Sequence, residues 1–211
     1  PDIYSMAKDL GFDGIEIRGL GNDIFAVQAQ PFTEGQLPKT IQKLASLHLE
    51  IPCLSSGCCL KYADKTEENV AEITQYIHLA KKLGTPYVRV LADREPAPEG
   101  EVDNEVVLAA LRRLIPVAEQ NGVTLLLETN GVYANTARLA GLLNQAASDN
   151  VAALWDIHHP FRFAGETPGK TVQNLGAYIR YVHAKDSVVE DGKIKYRMMG
   201  EGDLPIGDIM R

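Results

Sequence analysis

Six short runs rich in aliphatic and β-branched residues punctuate the chain: DGIEIRG (13–19), LEIPCLSS (49–56), PYVRVLAD (86–93), VTLLLET (123–129), VAALWDI (151–157) and YIRYVHAKD (178–186). Each is strand-length, and most are apolar almost throughout, as in strands buried on both faces of a parallel sheet. The segments between them have helical period. Ile41, Leu44 and Leu47 share a face in 39–47, and Val70, Ile73, Ile77, Ala80 and Leu83 do so in 66–84. The segments 104–122 and 135–147 repeat the pattern, and a weaker one covers 168–178. Gly84 and Gly122 stand where a helix commonly ends. Pro116 is expected to kink or shorten its helix. Residues 1–11 read as the end of a helix and 204–211 as the start of another.

Strands alternating with helices specify an α/β fold with a parallel sheet. An open doubly wound sheet and a closed (β/α)8 barrel both satisfy that order. No G-x-G-x-x-G follows the first run, which removes the main support for a dinucleotide-binding open sheet. The strand spacing fits barrel units. The chain is therefore expected to be a single TIM-barrel domain over 1–211, lacking the first and eighth strands and truncated at both ends.

Composition narrows the class. The chain is 45% hydrophobic and 23% charged, enough to build a core, and its net charge is -7 with no basic run. That balance disfavours a nucleic-acid partner. No apolar stretch approaches the roughly 20 residues that span a bilayer, so no membrane partner is expected. Cys53, Cys58 and Cys59 are clustered, odd in number and fit no zinc framework, which reads as reduced thiols in a cytoplasmic protein.

Candidate chemistry sits at the strand ends, where barrels place it. VTLLL ends in Glu128, VAALW in Asp156 and IRYV in His183. Two carboxylates and an imidazole suit Mn²⁺, Mg²⁺, Co²⁺ or Zn²⁺, and three such groups closing apolar strands call for a shared cation. The alternative is that Glu128 and Asp156 pair with lysines or cap loops. Glu16 alternates with Ile15 and Ile17, so it points inward; an ion pair with Arg18 or Arg89 is the competing role for it. His48 and His78 read as structural or solvated, and LSSGCCL (54–60) as a rim loop.

The stretches GFDGIEIRG, LLLETNG, WDIHHP and YVHAKDS…GEGDLP resemble the xylose-isomerase-like TIM-barrel family of sugar isomerases, epimerases and dehydratases, over nearly the whole chain. The resemblance implies a divalent metal, Mn²⁺ foremost, on Glu128, Asp156 and His183, with a fourth ligand, a glutamate, beyond Arg211. It also implies substrate contact by His159, in a D-x-x-H pattern before Pro160 that reads as a turn, with His158 less favoured. Glu16, Lys185 and Glu201 join this substrate-side set. Asn130 departs from the pattern: many relatives carry histidine there, and an asparagine can bind a hydroxyl but cannot relay a proton. Relatives of this kind often pair, so a homo-oligomer is a further expectation.

The implied activity is metal-dependent isomerisation or epimerisation of a sugar or polyol. Glu128 takes a proton next to a carbonyl, giving an enediolate. A cyclitol (inosose-type) dehydratase on the same site and a metal-free binding barrel are the alternatives. An endonuclease-like reading would need further histidines at the earlier strand ends, and none stands there. Lys193, Lys195 and Arg197 read as a solvated hairpin, so the substrate is expected to be unphosphorylated.

Overall fold

A computed structural model describes residues 2–210. The chain begins with α1 (Ile3–Asp9) and α2 (Leu37–Leu47) and then alternates: β1 (Cys53–Cys59), α3 (Thr66–Leu83), β2 (Tyr87–Leu91), α4 (Asn104–Asn121), β3 (Thr124–Glu128), α5 (Thr136–Ala146) and β4 (Val151–Asp156). Two short helices, α6 (His158–Phe163) and α7 (Pro168–Leu175), lead to β5 (Ile179–His183). A hairpin of β6 (Asp186–Glu190) and β7 (Lys193–Arg197) precedes α8 (Ile206–Ile209). The strands β1 to β5 form one parallel sheet in chain order, part of a barrel, and β6–β7 a separate antiparallel pair.

Several boundaries differ from the sequence-based expectation. The run 13–19 lies alongside β1 through two parallel bridges, Gly14 to Glu50 and Ile17 to Leu54, and builds no continuous ladder. The backbones approach closely there: a Cβ on Gly14 would stand 2.8 Å from the Glu50 carbonyl oxygen. β1 starts after Pro52, which has no amide to donate. It then runs through residues 54–59, so the expected rim loop is mostly strand, with a register shift between Ser55 and Cys59. α4 crosses Pro116 and reaches Asn121 without being shortened. The expected turn at Pro160 is α6, with the proline in the first turn where no intrahelical amide is needed. The run 178–186 divides at Ala184–Lys185 into β5 and the start of the hairpin.

Alternation along the strands sorts the residues into two environments. Leu54, Val88, Val90, Leu125, Leu127, Val151 and Ala153 face the helices and join the large core. Cys53, Leu126, Ala152 and Leu154, with Tyr87 and Tyr181, form a second cluster on the inner face. Continuing each strand by two residues on that inner face reaches Ser55, Arg89, Glu128, Asp156 and His183. The inner face thus has an apolar floor and a polar layer at the C-terminal strand ends.

Candidate metal-binding active site

Glu128, Asp156 and His183 are the last residues of β3, β4 and β5. Asp156 and His183 are direct register partners. One donor atom from each of the three lies within 4.8 Å of the others, and all three line a cleft of about 500 Å³ with Glu16, Ser55 and Lys185. Two oxygens and one imidazole nitrogen converging at that spacing fit a divalent cation.

The cluster is held from several sides. His183 Nδ1 lies 3.2 Å from Glu128 Oε1 and Nε2 lies 2.9 Å from Glu16 Oε2. Carboxylates only accept, so both ring nitrogens donate. Burial disfavours that charge, but the bonds to Glu128 and Glu16 push the imidazole up to about 9. Burial would raise Glu128, yet the His183 bond and the Arg89 charge hold it down at about 2. Arg89 Nε lies 2.9 Å from Glu128 Oε2, out of line for a hydrogen bond, while its Nη1 donates to the Ser56 carbonyl at 2.8 Å. Ser55 Oγ donates to the other oxygen of Glu16. Two carboxylates therefore hold one imidazole, an arrangement that demands positive charge.

Across the cleft, Lys185 Nζ lies 2.8 Å from Asp156 Oδ2 and 2.7 Å from His159 Nε2. His159 Nδ1 donates to the Thr129 carbonyl at 3.0 Å, which leaves Nε2 as an acceptor and the ring neutral. Burial keeps His159 below its ordinary value. Asp156 Oδ1 accepts the His158 amide at 3.0 Å, and Thr129 Oγ1 accepts the Asp156 amide at 2.9 Å. A second grouping of Asp156, His158 and His159 has similar spacing. Lys185 covers it, and His158 is turned to Ser187 Oγ at 3.0 Å.

The model of the xylose isomerase-like TIM barrel family matches residues 5–211. The chain belongs to that family. Among curated protein sequences none matches it significantly. Solved structures share its fold. A xylose isomerase-like TIM barrel protein from Mycobacterium smegmatis in complex with magnesium has a TM-score of 0.75 at 18% identity, covering 98% of this chain and 74% of that one. The probable 3-DHS dehydratase of petrobactin synthesis from Bacillus anthracis has a TM-score of 0.76 at 20% identity, covering 99% and 81%. The 3-keto-D-glucoside 4-epimerase from E. coli has a TM-score of 0.73 at 15% identity, covering 98% and 79%.

Within this xylose isomerase-like barrel the expected residues mostly converge. Glu16 lines the cleft, where it holds His183 and not Arg18 or Arg89. Lys185 lines it too, and His159 lines the pocket that adjoins it. Asn130 lines that adjoining pocket as well, but its Nδ2 is spent on the Asp93 and Arg94 carbonyls at 3.1 and 2.8 Å. Glu201 stands apart: Asp186 accepts the Gly200 and Gly202 amides, and the loop so folded leaves Glu201 exposed and outside the cleft lining. Sequence reasoning misses Ser55, Thr129 and the full role of Arg89. Arg89 carries a signal, since an arginine at an inner position of the apolar strand YVRVL requires a buried acidic partner. Among the described residues no helix is long and apolar enough to cross a membrane.

Proposed function

We propose that the protein is a divalent-metal-dependent isomerase or epimerase of a small sugar or polyol, acting by proton abstraction next to a carbonyl. One observation carries the reading: Glu128, Asp156 and His183 bring their donor atoms within 4.8 Å of one another at three adjacent strand ends, in an open cleft. The donor set suits Mn²⁺ first, with Mg²⁺, Co²⁺ or Zn²⁺ as substitutes. When bound, such a cation polarises the substrate carbonyl as a Lewis acid.

The chain's own residues do the rest. Glu128, kept ionised by Arg89 and His183, accepts the proton from the carbon beside the carbonyl. Lys185 donates hydrogen bonds to the oxygen that gains charge as the enediolate forms. His159, its tautomer fixed by the Thr129 carbonyl, accepts from a substrate hydroxyl. Glu16 orients the His183 ring. Return of the proton to the opposite face gives an epimer, and return to the neighbouring carbon gives an isomer. Loss of a β-hydroxyl would make the enzyme a cyclitol dehydratase. Relatives of this fold named as an epimerase and as a dehydratase make both outcomes reasonable for the same site.

The test is deuterium exchange. The full-length protein with Mn²⁺ is incubated with ketoses and cyclitols in D₂O, and NMR follows deuterium entering the carbon next to the carbonyl. Exchange on at least one substrate is expected, falling at least about 100-fold in Glu128→Gln, as for loss of a positioned base. Circular dichroism checks that the variant is folded. No exchange on any substrate, together with no bound metal, would overturn the reading.

A further inference from the structure

The cleft continues beyond the ligand cluster into a second lobe of about 400 Å³. Arg18, Arg89, Glu128 and Lys185 line both lobes, so the two form one continuous space, within the size range of small-molecule sites. The second lobe also takes in Arg94 and Asn130. Four cationic side chains thus face one lobe, against the two carboxylates of Glu95 and Glu128, in a chain whose net charge is -7. Two of the four are already matched, Arg89 by Glu128 and Lys185 by Asp156. Among the described residues the Arg18 guanidinium makes no hydrogen bond or ion pair, and that of Arg94 has only a long, exposed one, to Glu95 at 3.9 Å.

Both guanidiniums stand on held backbone. The Arg94 amide donates to Asp93 Oδ1 at 2.7 Å, and its carbonyl accepts from Asn130 Nδ2 at 2.8 Å. Asp93 is itself buried, taking the Val132 amide at 2.9 Å and Lys61 Nζ at 2.5 Å. Arg18 follows Ile17, whose amide and carbonyl are bonded to Cys53 and Ser55 beside β1. A guanidinium on a held base, facing a cleft, is suited to forked pairing with an oxyanion.

We propose that this lobe binds an anionic end of the substrate, a carboxylate or a phosphate, through Arg18 and Arg94, while the carbonyl end faces Glu128, Asp156 and His183. The assignment rests on the isomerase reading above and narrows its substrate class from sugars and polyols at large to sugar acids or sugar phosphates. It also makes Asn130 a positioning residue for Arg94, which accounts for an amide at a place where a proton relay is not needed.

The test measures binding of D-glucuronate, D-glucose 6-phosphate and D-glucose to the Mg²⁺-loaded protein by ligand-observed NMR. At least one anion is expected to bind about tenfold or more tightly than D-glucose, and which one separates carboxylate from phosphate. That preference should fall about tenfold in Arg18→Gln and in Arg94→Gln, the loss of a hydrogen bond to a charged group, and should weaken with added NaCl. Equal affinity for all three, no binding of either anion, or anion affinity unchanged in both variants would overturn the proposal. A parallel Mn²⁺ titration followed by electron paramagnetic resonance keeps the two readings separate. Mn²⁺ uptake without anion preference overturns this inference alone. Anion binding lost in the arginine variants, without Mn²⁺ uptake, supports the anion lobe and sinks the metal-dependent reading.

Discussion

At the scale of single residues, the carboxylate of Asp156 has two claims on it. It belongs to the converging trio, and its Oδ2 already holds the Lys185 ammonium at 2.8 Å. Lys185 is about a third exposed, so its attraction to Asp156 amounts to about 1 kcal/mol. Replacing it with methionine removes a competing cation while keeping the length of the side chain. Lys185→Met is therefore expected to bind Mn²⁺ roughly fivefold more tightly, yet to exchange substrate deuterium more slowly, because no ammonium faces the developing oxyanion. Electron paramagnetic resonance reads the first change and NMR the second; a fall in both would mean that Lys185 supports the ligand set. Glu128, Asp156 and His183 are legible in the sequence because a polar group closing an apolar strand must meet a partner at that end. The partners of Arg89, Lys185 and His159 are not, since contacts across strands depend on register, which no local pattern reports.

Among the elements, the hairpin β6–β7 shows how a sequence-local reading fails. YIRYVHAKD alternates smoothly into the hairpin, so nothing in it marks the break at Ala184–Lys185. The break is set from a distance. Asp186, buried at the start of β6, accepts the amides of Gly200, Gly202 and Leu204 as well as that of Ser187. Burial opposes its ionisation, but the amides of Gly202, Ser187, Gly200 and Leu204 outweigh it and hold the carboxyl below its ordinary 3.8. A folded value depressed below the unfolded one gives stability that is full above about pH 4 and drains as pH falls through the depressed value. The 198–205 loop is thus expected to hold at pH 5 and loosen under stronger acid. Amide NMR shifts of Gly200 and Gly202 should report a transition with its midpoint below 3.8, and a midpoint above 4 would contradict the tie. Asp186→Asn should loosen the same loop at neutral pH.

Over the whole molecule, the inner face of the sheet separates stability from chemistry. Alternation makes the α/β order and five strands readable, because each apolar run has to be buried on both sides. The remaining run, 13–19, alternates Ile15 and Ile17 with charged residues but is held by two bridges only, and the close approach of Gly14 to Glu50 is a tertiary fact that its own sequence does not carry. Beneath the polar layer lie Cys53, Leu126, Ala152 and Leu154, all buried, and Leu126 is fully so. Leu126 stands one inner-face step below Glu128 and pairs in register with Arg89. Truncating it opens a cavity in the floor and is expected to cost about 2–5 kcal/mol of stability. The ligand atoms, however, are fixed from above and from the sides, by Arg89, Glu16, Thr129 and Lys185. Leu126→Ala should therefore lower the midpoint of urea unfolding while leaving Mn²⁺ affinity within about threefold, a change under 1 kcal/mol. If Mn²⁺ affinity collapsed in a variant still folded by circular dichroism, the floor would be shaping the ligand set directly. The two layers would then act as one unit.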